Sequence, residues 1–259
     1  MKAVILSGGL GTRLLEETVI KPKPMVEIGG LPMLWHIMSC YANHGFKEFV
    51  VALGYKGDWI KSYFLNRYNL RGDLTINLAD GKVDLHDQVR EDWLIHLVDS
   101  GVDTSTGGRL MRLRSMLDRD TFMMTYGDGV SDVNIKKLVE FHKSHGKIAT
   151  VTAVRPPARF GVLSIDDNSP RVEHFGEKHQ LSEGWINGGF FVLEPRIFDY
   201  LTDEHQFLEM GPLQKLAEDG QLCAFKHNGF WQCMDTLRDV RYLEELWTKD
   251  QAPWKTWNK

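Results

Sequence analysis

The 259 residues are 42% hydrophobic, 25% charged and 11% aromatic, with a formal net charge of −4. These proportions suit a globular protein and exclude a disordered chain, a collagen and a coiled coil. No polybasic tract marks a nucleic-acid or membrane-surface partner. No apolar run approaches the roughly 20 residues that span a bilayer, and Lys2–Leu6 is too short for a signal-peptide core. Cys40, Cys223 and Cys233 form no C-x-x-C pair, which opposes a disulfide framework, a zinc site and a redox motif. They fit a reducing cytoplasm.

Ala3–Leu6 is a short apolar run closed by glycines, the pattern of a buried parallel strand. Apolar residues at Leu34, Ile37, Met38 and Tyr41 predict a helix over Pro32–His44, with Pro32 in its first turn and Gly45 as its stop. Phe49–Leu53 is a second buried strand and Trp59–Tyr68 a second helix. Strand, helix, strand, helix predicts a parallel sheet with right-handed crossovers. Strands are expected at Asp73–Leu78, Leu94–Val98, Phe122–Tyr126 and Ile148–Val154, and helices at Arg109–Leu117 and Asn134–His145. After Pro156-Pro157 the strands shorten: Gly161–Ile165, Val172–Phe175, Gly188–Leu193 and Leu222–Lys226. Helices are expected at Ile197–Leu201, Pro212–Asp219 and Arg238–Trp247. No repeat or linker appears. The expectation is one α/β domain, Rossmann-like, with a mixed, mostly parallel sheet flanked by helices. Its substrate-side elements are expected in the second half.

The turn after the first strand reads Ser7-Gly8-Gly9-Leu10-Gly11-Thr12-Arg13. Glycine-rich backbone at the end of a parallel strand lets amide N–H groups approach a phosphate. A Walker A loop is excluded, because no Gly-Lys-Ser/Thr exists. A dinucleotide fingerprint is opposed by Leu14, which stands where the third small residue belongs. There remains a nucleotide loop carrying its own cation, Arg13. The alternative is a plain strand–turn connection. In Lys21-Pro22-Lys23-Pro24-Met25, flanking prolines hold the backbone extended and pre-position an ammonium. That suits a triphosphate, and equally a rigid surface turn.

Leu6–Leu14 (LSGGLGTRL) and Lys21–Met25 (KPKPM) together resemble the signature of the sugar-1-phosphate nucleotidyltransferases. The likeness continues through Gly127–Gly129 (GDG), Phe175–Lys178 (FGEK), Asn187–Phe191 (NGGFF) and Trp231–Thr236 (WQCMDT), in family order over nearly the whole chain. Leu97–Leu110 (LVDSGVDTSTGGRL) and the tail from Trp247 to Trp257 are similar to the cytidylyl branch. Ser7, His179 and Cys233 depart from the usual pattern, and none removes a charge. The resemblance implies a fold of the nucleotide-diphospho-sugar transferase type, with a nucleotide-binding part at about residues 1–155 and a smaller β-rich, sugar-phosphate-binding part at about 156–259. It also implies CTP and glucose 1-phosphate as substrates, CDP-glucose and pyrophosphate as products, Mg²⁺ as cofactor, and a cytoplasmic homo-oligomer. The catalytic residues implied are Arg13, Lys23 and Asp128. Leu6, Ser7, Gly8, Gly9, Leu10, Gly11, Thr12, Arg13, Lys23, Thr104, Gly108, Arg109 and Gly127 would bind nucleotide, and Lys178, Asn187 and Gly188 the sugar phosphate. Asp128 and Asp235 would hold the metal.

Read without the resemblance, Asp128 and Asp235 each end a predicted strand, where α/β sheets bind ligands and where hard oxygen donors suit Mg²⁺. The alternatives are a turn aspartate for Asp128 and the N-cap of the last helix for Asp235. Lys178 alone reads as a surface lysine and Asn187-Gly188-Gly189 as a turn. Histidines in H-x-x-x-H or H-E-x-x-H spacing are absent, which opposes zinc. A non-catalytic nucleotide-binding subunit is the alternative of a different class. Arg13, Lys23, Asp128 and Asp235 together oppose it.

Overall fold

The computed structural model describes residues 1–9, 14, 18, 20–67, 73–86, 91–156 and 184–257, and the backbone of 162–165 and 172–176. Eight strands build one sheet: β1 (Ala3–Ser7), β2 (Glu48–Leu53), β3 (Leu94–Asp99), β4 (Phe122–Tyr126), β5 (Ala149–Val154), β6 (Ile186–Asn187), β7 (Phe191–Leu193) and β8 (Leu222–His227). β4, β1, β2 and β3 lie side by side and parallel. β7 runs antiparallel between β4 and β5, and β8 pairs parallel with the far edge of β5. The sheet is therefore mixed and mostly parallel, as the alternation of apolar runs and helical segments implies.

Strand residues alternate between two apolar clusters, as a period of two requires. Ala3, Ile5, Phe49, Val51 and Met123 face one, and Val4, Leu6, Val50, Ala52, Phe122 and Met124 the other. Helices α1 (Met33–Asn43), α2 (Gly57–Asn66), α5 (Ile135–His145) and α7 (Leu237–Thr248) cover the first face. The second is covered by α3 (Thr106–Arg112), α4 (Arg114–Leu117), the 3₁₀ segment Pro195–Tyr200 and α6 (Pro212–Glu218). No described helix is long and apolar enough to cross a membrane.

Several expectations change. Arg109–Leu117 is two short helices that meet at Leu113. The expected strand at 73–78 is Leu74–Asn77, paired with Lys82–Leu85 in a separate, solvent-exposed ribbon. The expected strand Gly188–Leu193 is broken: β6 and β7 flank Gly188–Phe190, where Gly189 and Phe190 take φ of +73° and +47°. Gly188 N–H donates to Thr152 O, and a Cβ at 188 would meet the Val154 side chain at 2.6 Å. Close backbone contact at this break requires glycine. Two short antiparallel pairs, Glu27–Ile28 with Leu31–Pro32 and Gly129–Ser131 with Trp231–Cys233, are too brief to show a period in sequence.

The C-terminal tail is held by aromatic packing. His36 is fully buried beside Trp247, Trp254 and Trp257. One ring nitrogen lies 2.8 Å from Ile28 O and the other 3.4 Å from Trp254 Nε1. Burial pulls its pKa from 6.5 down to about 4, against the carbonyls of Ile28 and Leu31. The unfolded chain therefore binds a proton in this window that the native state refuses. His36 gives its full contribution above pH 6.5 and loses it as pH falls toward 4. Denaturant unfolding between about pH 7 and about pH 5.5 should show roughly 1 kcal/mol of lost stability from this group. His36→Gln should lose that part of the slope, and an unchanged slope would show that the ring is charged in the folded state.

Candidate active site

The C-terminal ends of β1 and β4 open on a cavity of about 260 Å³. Leu6, Ser7, Gly8, Gly9, Lys23, Pro24, Thr106, Arg109, Tyr126, Gly127 and Asp128 line it. The position follows from the parallel topology, since helices leave the strand ends and a crevice remains there.

The glycines make room for particular neighbours. A Cβ on Gly8 would sit 2.0 Å from Arg109 Nη1. A Cβ on Gly127 would meet Pro24 Cγ at 2.9 Å and both Leu6 O and Ser7 Oγ at 3.0 Å. Gly127 thus lets the proline turn lie over the strand ends. Residues Lys23–Met25 form one 3₁₀ turn, closed by Met25 N–H to Pro22 O, instead of the extended run expected from the prolines.

That turn carries Lys23 into the site. Its Nζ donates to Asp128 Oδ2 at 2.7 Å and to Asp235 Oδ1 at 2.6 Å. The carboxylates meet because Gly129–Ser131 pairs with Trp231–Cys233, setting Gly129 opposite Cys233 and bonding Met234 N–H to Asp128 O. Asp235 is not the N-cap of α7. Thr236 takes that role in a capping box with Asp239, whose carboxylate also accepts from Asp235 N–H. Burial works against the Lys23 ammonium, but Asp128 and Asp235 outweigh it and hold its pKa above the ordinary lysine value. Nearby, burial first and then Asp235, Asp128 and Asp239 push the Cys233 thiol up to about 11, so it stays neutral.

Arg109 is 4% exposed. Its guanidinium donates to Leu53 O, Ser100 Oγ and Gly101 O from Nη1, and to Gly8 O and Val102 O from Nη2. Every acceptor is a carbonyl or a hydroxyl. Thr104 and Gly108 do not line the cavity. A Cβ on Gly108 would lie 1.8 Å from Glu204 O, so this glycine lets α3 pack on the 204–206 segment.

Tyr126 and Thr106, both absent from the expected site, stand in the cavity wall and share Glu209. Tyr126 OH donates to Oε1 at 2.5 Å and Thr106 Oγ1 to Oε2 at 2.7 Å. Asn187 Nδ2 donates to Tyr126 OH at 3.1 Å, and Trp231 Nε1 donates to Gly188 O at 2.8 Å. The Ser7 hydroxyl is buried at the cavity wall and has no hydrogen-bond partner among the described residues. Of the expected residues, Leu6, Ser7, Gly8, Gly9, Lys23, Arg109, Gly127 and Asp128 line the cavity. Asp235 joins them through Lys23, and Asn187 through Tyr126. Leu10, Gly11, Thr12, Arg13 and Lys178 lie outside the described residues. No motif announces Glu209, which sits in an aperiodic stretch.

The family profile described as nucleotidyl transferase matches residues 2–247. The chain belongs to that family. It is 53% identical over 258 residues to a glucose-1-phosphate cytidylyltransferase of Salmonella typhimurium, covering 99% of this chain and 100% of that protein. The crystal structure of UDP-glucose pyrophosphorylase complexed with UDP-glucose superposes with a TM-score of 0.66 at 16% identity, over 96% of this chain and 98% of that one. HddC from Yersinia pseudotuberculosis gives a TM-score of 0.66 at 24% identity, over 95% and 99%. These two likenesses establish the shared fold of a mixed sheet flanked by helices.

The Arg109 clamp predicts a large stability effect. Lysine offers three N–H groups at one point and cannot serve five acceptors spread over three strand ends. Arg109→Lys should therefore lower unfolding stability by at least about 2 kcal/mol, because buried carbonyls lose their donors. Denaturant titration measures it, and a loss under about 0.5 kcal/mol would show that the clamp contributes little.

Proposed function

We propose that the chain transfers the cytidylyl group of CTP to α-D-glucose 1-phosphate, giving CDP-glucose and pyrophosphate. The observation that carries this reading is the convergence of Asp128 and Asp235 on one cation position beside the glycine turn. It occurs in a chain 53% identical over its length to a protein of that name. A phosphate oxygen of glucose 1-phosphate attacks the α-phosphorus of CTP. The bond from that phosphorus to the bridging oxygen breaks, and the electron pair leaves with pyrophosphate. No protein nucleophile is needed, so the residues act by positioning and neutralising anions.

Mg²⁺ fits the donor set. Two hard carboxylates already enclose a cation, the Lys23 ammonium. Among the described residues no third acidic, histidine or cysteine side chain completes a cage. Mg²⁺ is commonly held by one or two carboxylates together with substrate phosphates. Bound there, it supplies charge neutralisation to the reacting phosphates. Gly8 and Gly9 bring the backbone of the β1 turn to the triphosphate. Arg13 and Lys23 neutralise it, and Lys23 borders the cavity. Lys178, Asn187 and Gly188 receive the sugar phosphate. A cytoplasmic homo-oligomer belongs to the same proposal.

Pyrophosphate release measured with each nucleoside triphosphate against a panel of sugar 1-phosphates tests the substrates. CTP should far exceed UTP and dTTP, because buried polar groups tell an amino donor from a carbonyl acceptor. Equal rates with dTTP would overturn the cytidylyl assignment. Asp128→Asn and Asp235→Asn should each lower turnover at least 100-fold, about 3 kcal/mol of transition-state stabilisation. Either variant keeps one carboxylate on Lys23 and should fold. EDTA should abolish activity and Mg²⁺ restore it. Near-normal turnover in both variants, or full activity in EDTA, would refute the site.

A further inference from the structure

Two hydroxyls in the cavity wall share one carboxylate that lies behind them. Thr106 begins α3, on the nucleotide side of the proposed site. Tyr126 ends β4, next to Gly127-Asp128 and within reach of Asn187. We propose that Glu209 is a positioning residue for both substrates: it fixes Thr106 on the nucleotide side and, through Tyr126, the Asn187 amide on the sugar-phosphate side. The inference rests on the function proposed above.

The hydrogen-bond directions follow from proton inventory. Each hydroxyl owns one proton, and a carboxylate only accepts. Tyr126 therefore donates to Glu209 Oε1, and its oxygen is left to accept from Asn187 Nδ2 at 3.1 Å. Thr106 donates to Oε2, and its oxygen accepts from Leu208 N–H at 2.9 Å. Asn187 Oδ1 accepts from Gly189 N–H at 2.9 Å, which sets the amide's orientation from its other end. The chain Glu209–Tyr126–Asn187 thus has one consistent set of donors, and among the described residues Asn187 Nδ2 keeps a second N–H for a ligand oxygen.

The segment bearing Glu209 is anchored independently of that carboxylate. Ser105 Oγ donates to Gln206 O, Gly107 N–H donates to Gln206 O at 3.1 Å, and Arg112 pairs with Glu204 at 2.6 Å. Glu209 is therefore held against α3 whether or not its carboxylate is intact. Removing the carboxylate frees two hydroxyl rotors and one amide without detaching the segment. Small losses of order among groups that hold reacting ligands weaken substrate binding.

The test is steady-state kinetics of Glu209→Ala, Tyr126→Phe, Thr106→Val and the Tyr126→Phe/Glu209→Ala pair, with thermal unfolding alongside. Tyr126→Phe should raise the KM for sugar 1-phosphate about fivefold or more, and Thr106→Val the KM for nucleotide, each leaving the other constant within about twofold. Glu209→Ala should raise both. The double variant should match Glu209→Ala, because on the sugar-phosphate side Glu209 acts through Tyr126. Glu209→Gln, an isostere that accepts at one end and donates at the other, should restore one KM and not both. Falls in kcat and in thermal midpoint with both KM values unchanged would mean a structural role only and would overturn the proposal. An additive double variant would overturn it as well. If the wild type uses a different nucleotide or sugar, the proposed function falls, and the same comparison with those substrates still decides the role of Glu209.

Discussion

The guanidinium of Arg109 donates to the carbonyls of Gly8, Leu53, Gly101 and Val102 and so ties the C-terminal ends of β1, β2 and β3 to α3. Burial disfavours this cation, and Arg112 adds to the penalty, while Asp99 opposes it. Carbonyl dipoles replace much of the lost water, yet they cannot cancel a unit charge. The cavity wall at the glycine turn therefore keeps a positive field. Glycine at 8 is the steric counterpart of the same arrangement, since a Cβ there would displace the guanidinium. One interaction thus sets the shape of the turn, the approach of its backbone to a ligand, and the sign of the potential that meets it.

Much of the sheet is legible because it is buried on both faces. Runs such as Ala3–Leu6 and Phe49–Leu53 are continuous and apolar, and only a parallel strand between helix layers needs that. The ribbon Leu74–Asn77 with Lys82–Leu85 shows the limit. Its residues are nearly all exposed, so nothing in its composition ties it to the sheet. The pair Gly129–Ser131 with Trp231–Cys233 is less visible still. Three residues carry no period, yet this pair brings Asp128 to Asp235.

Site residues were legible in proportion to how local their chemistry is. The glycine turn and the proline-flanked lysine lie in compact strings. Lys23 reaches its partners across 105 and 212 positions, and only the family resemblance joined them in sequence. The N-cap reading of Asp235 fails on its neighbours, because Thr236 and Asp239 satisfy the helix start between them. Glu209 had no such string. Its partners lie 103 and 83 positions away, and its neighbours show neither periodicity nor motif. A residue that acts by orienting others leaves its mark in three dimensions alone.

The two sides of the cavity differ in sign. Arg109 and the backbone amides of the glycine turn favour an anion. Opposite in character, Asp128, Lys23 and Asp235 sum to one net negative charge, with Lys23 already committed to both carboxylates. A nucleoside triphosphate drawn in by the first side would meet repulsion at the second. At contact distance, even screened to an effective dielectric of about 20, two unit charges repel by about 4 kcal/mol. A divalent cation on the carboxylates would turn that sum from minus one to plus one. Substrate charge and carboxylate placement are in this way one electrostatic requirement, which a divalent cation would meet and which the lysine between the carboxylates offsets in part.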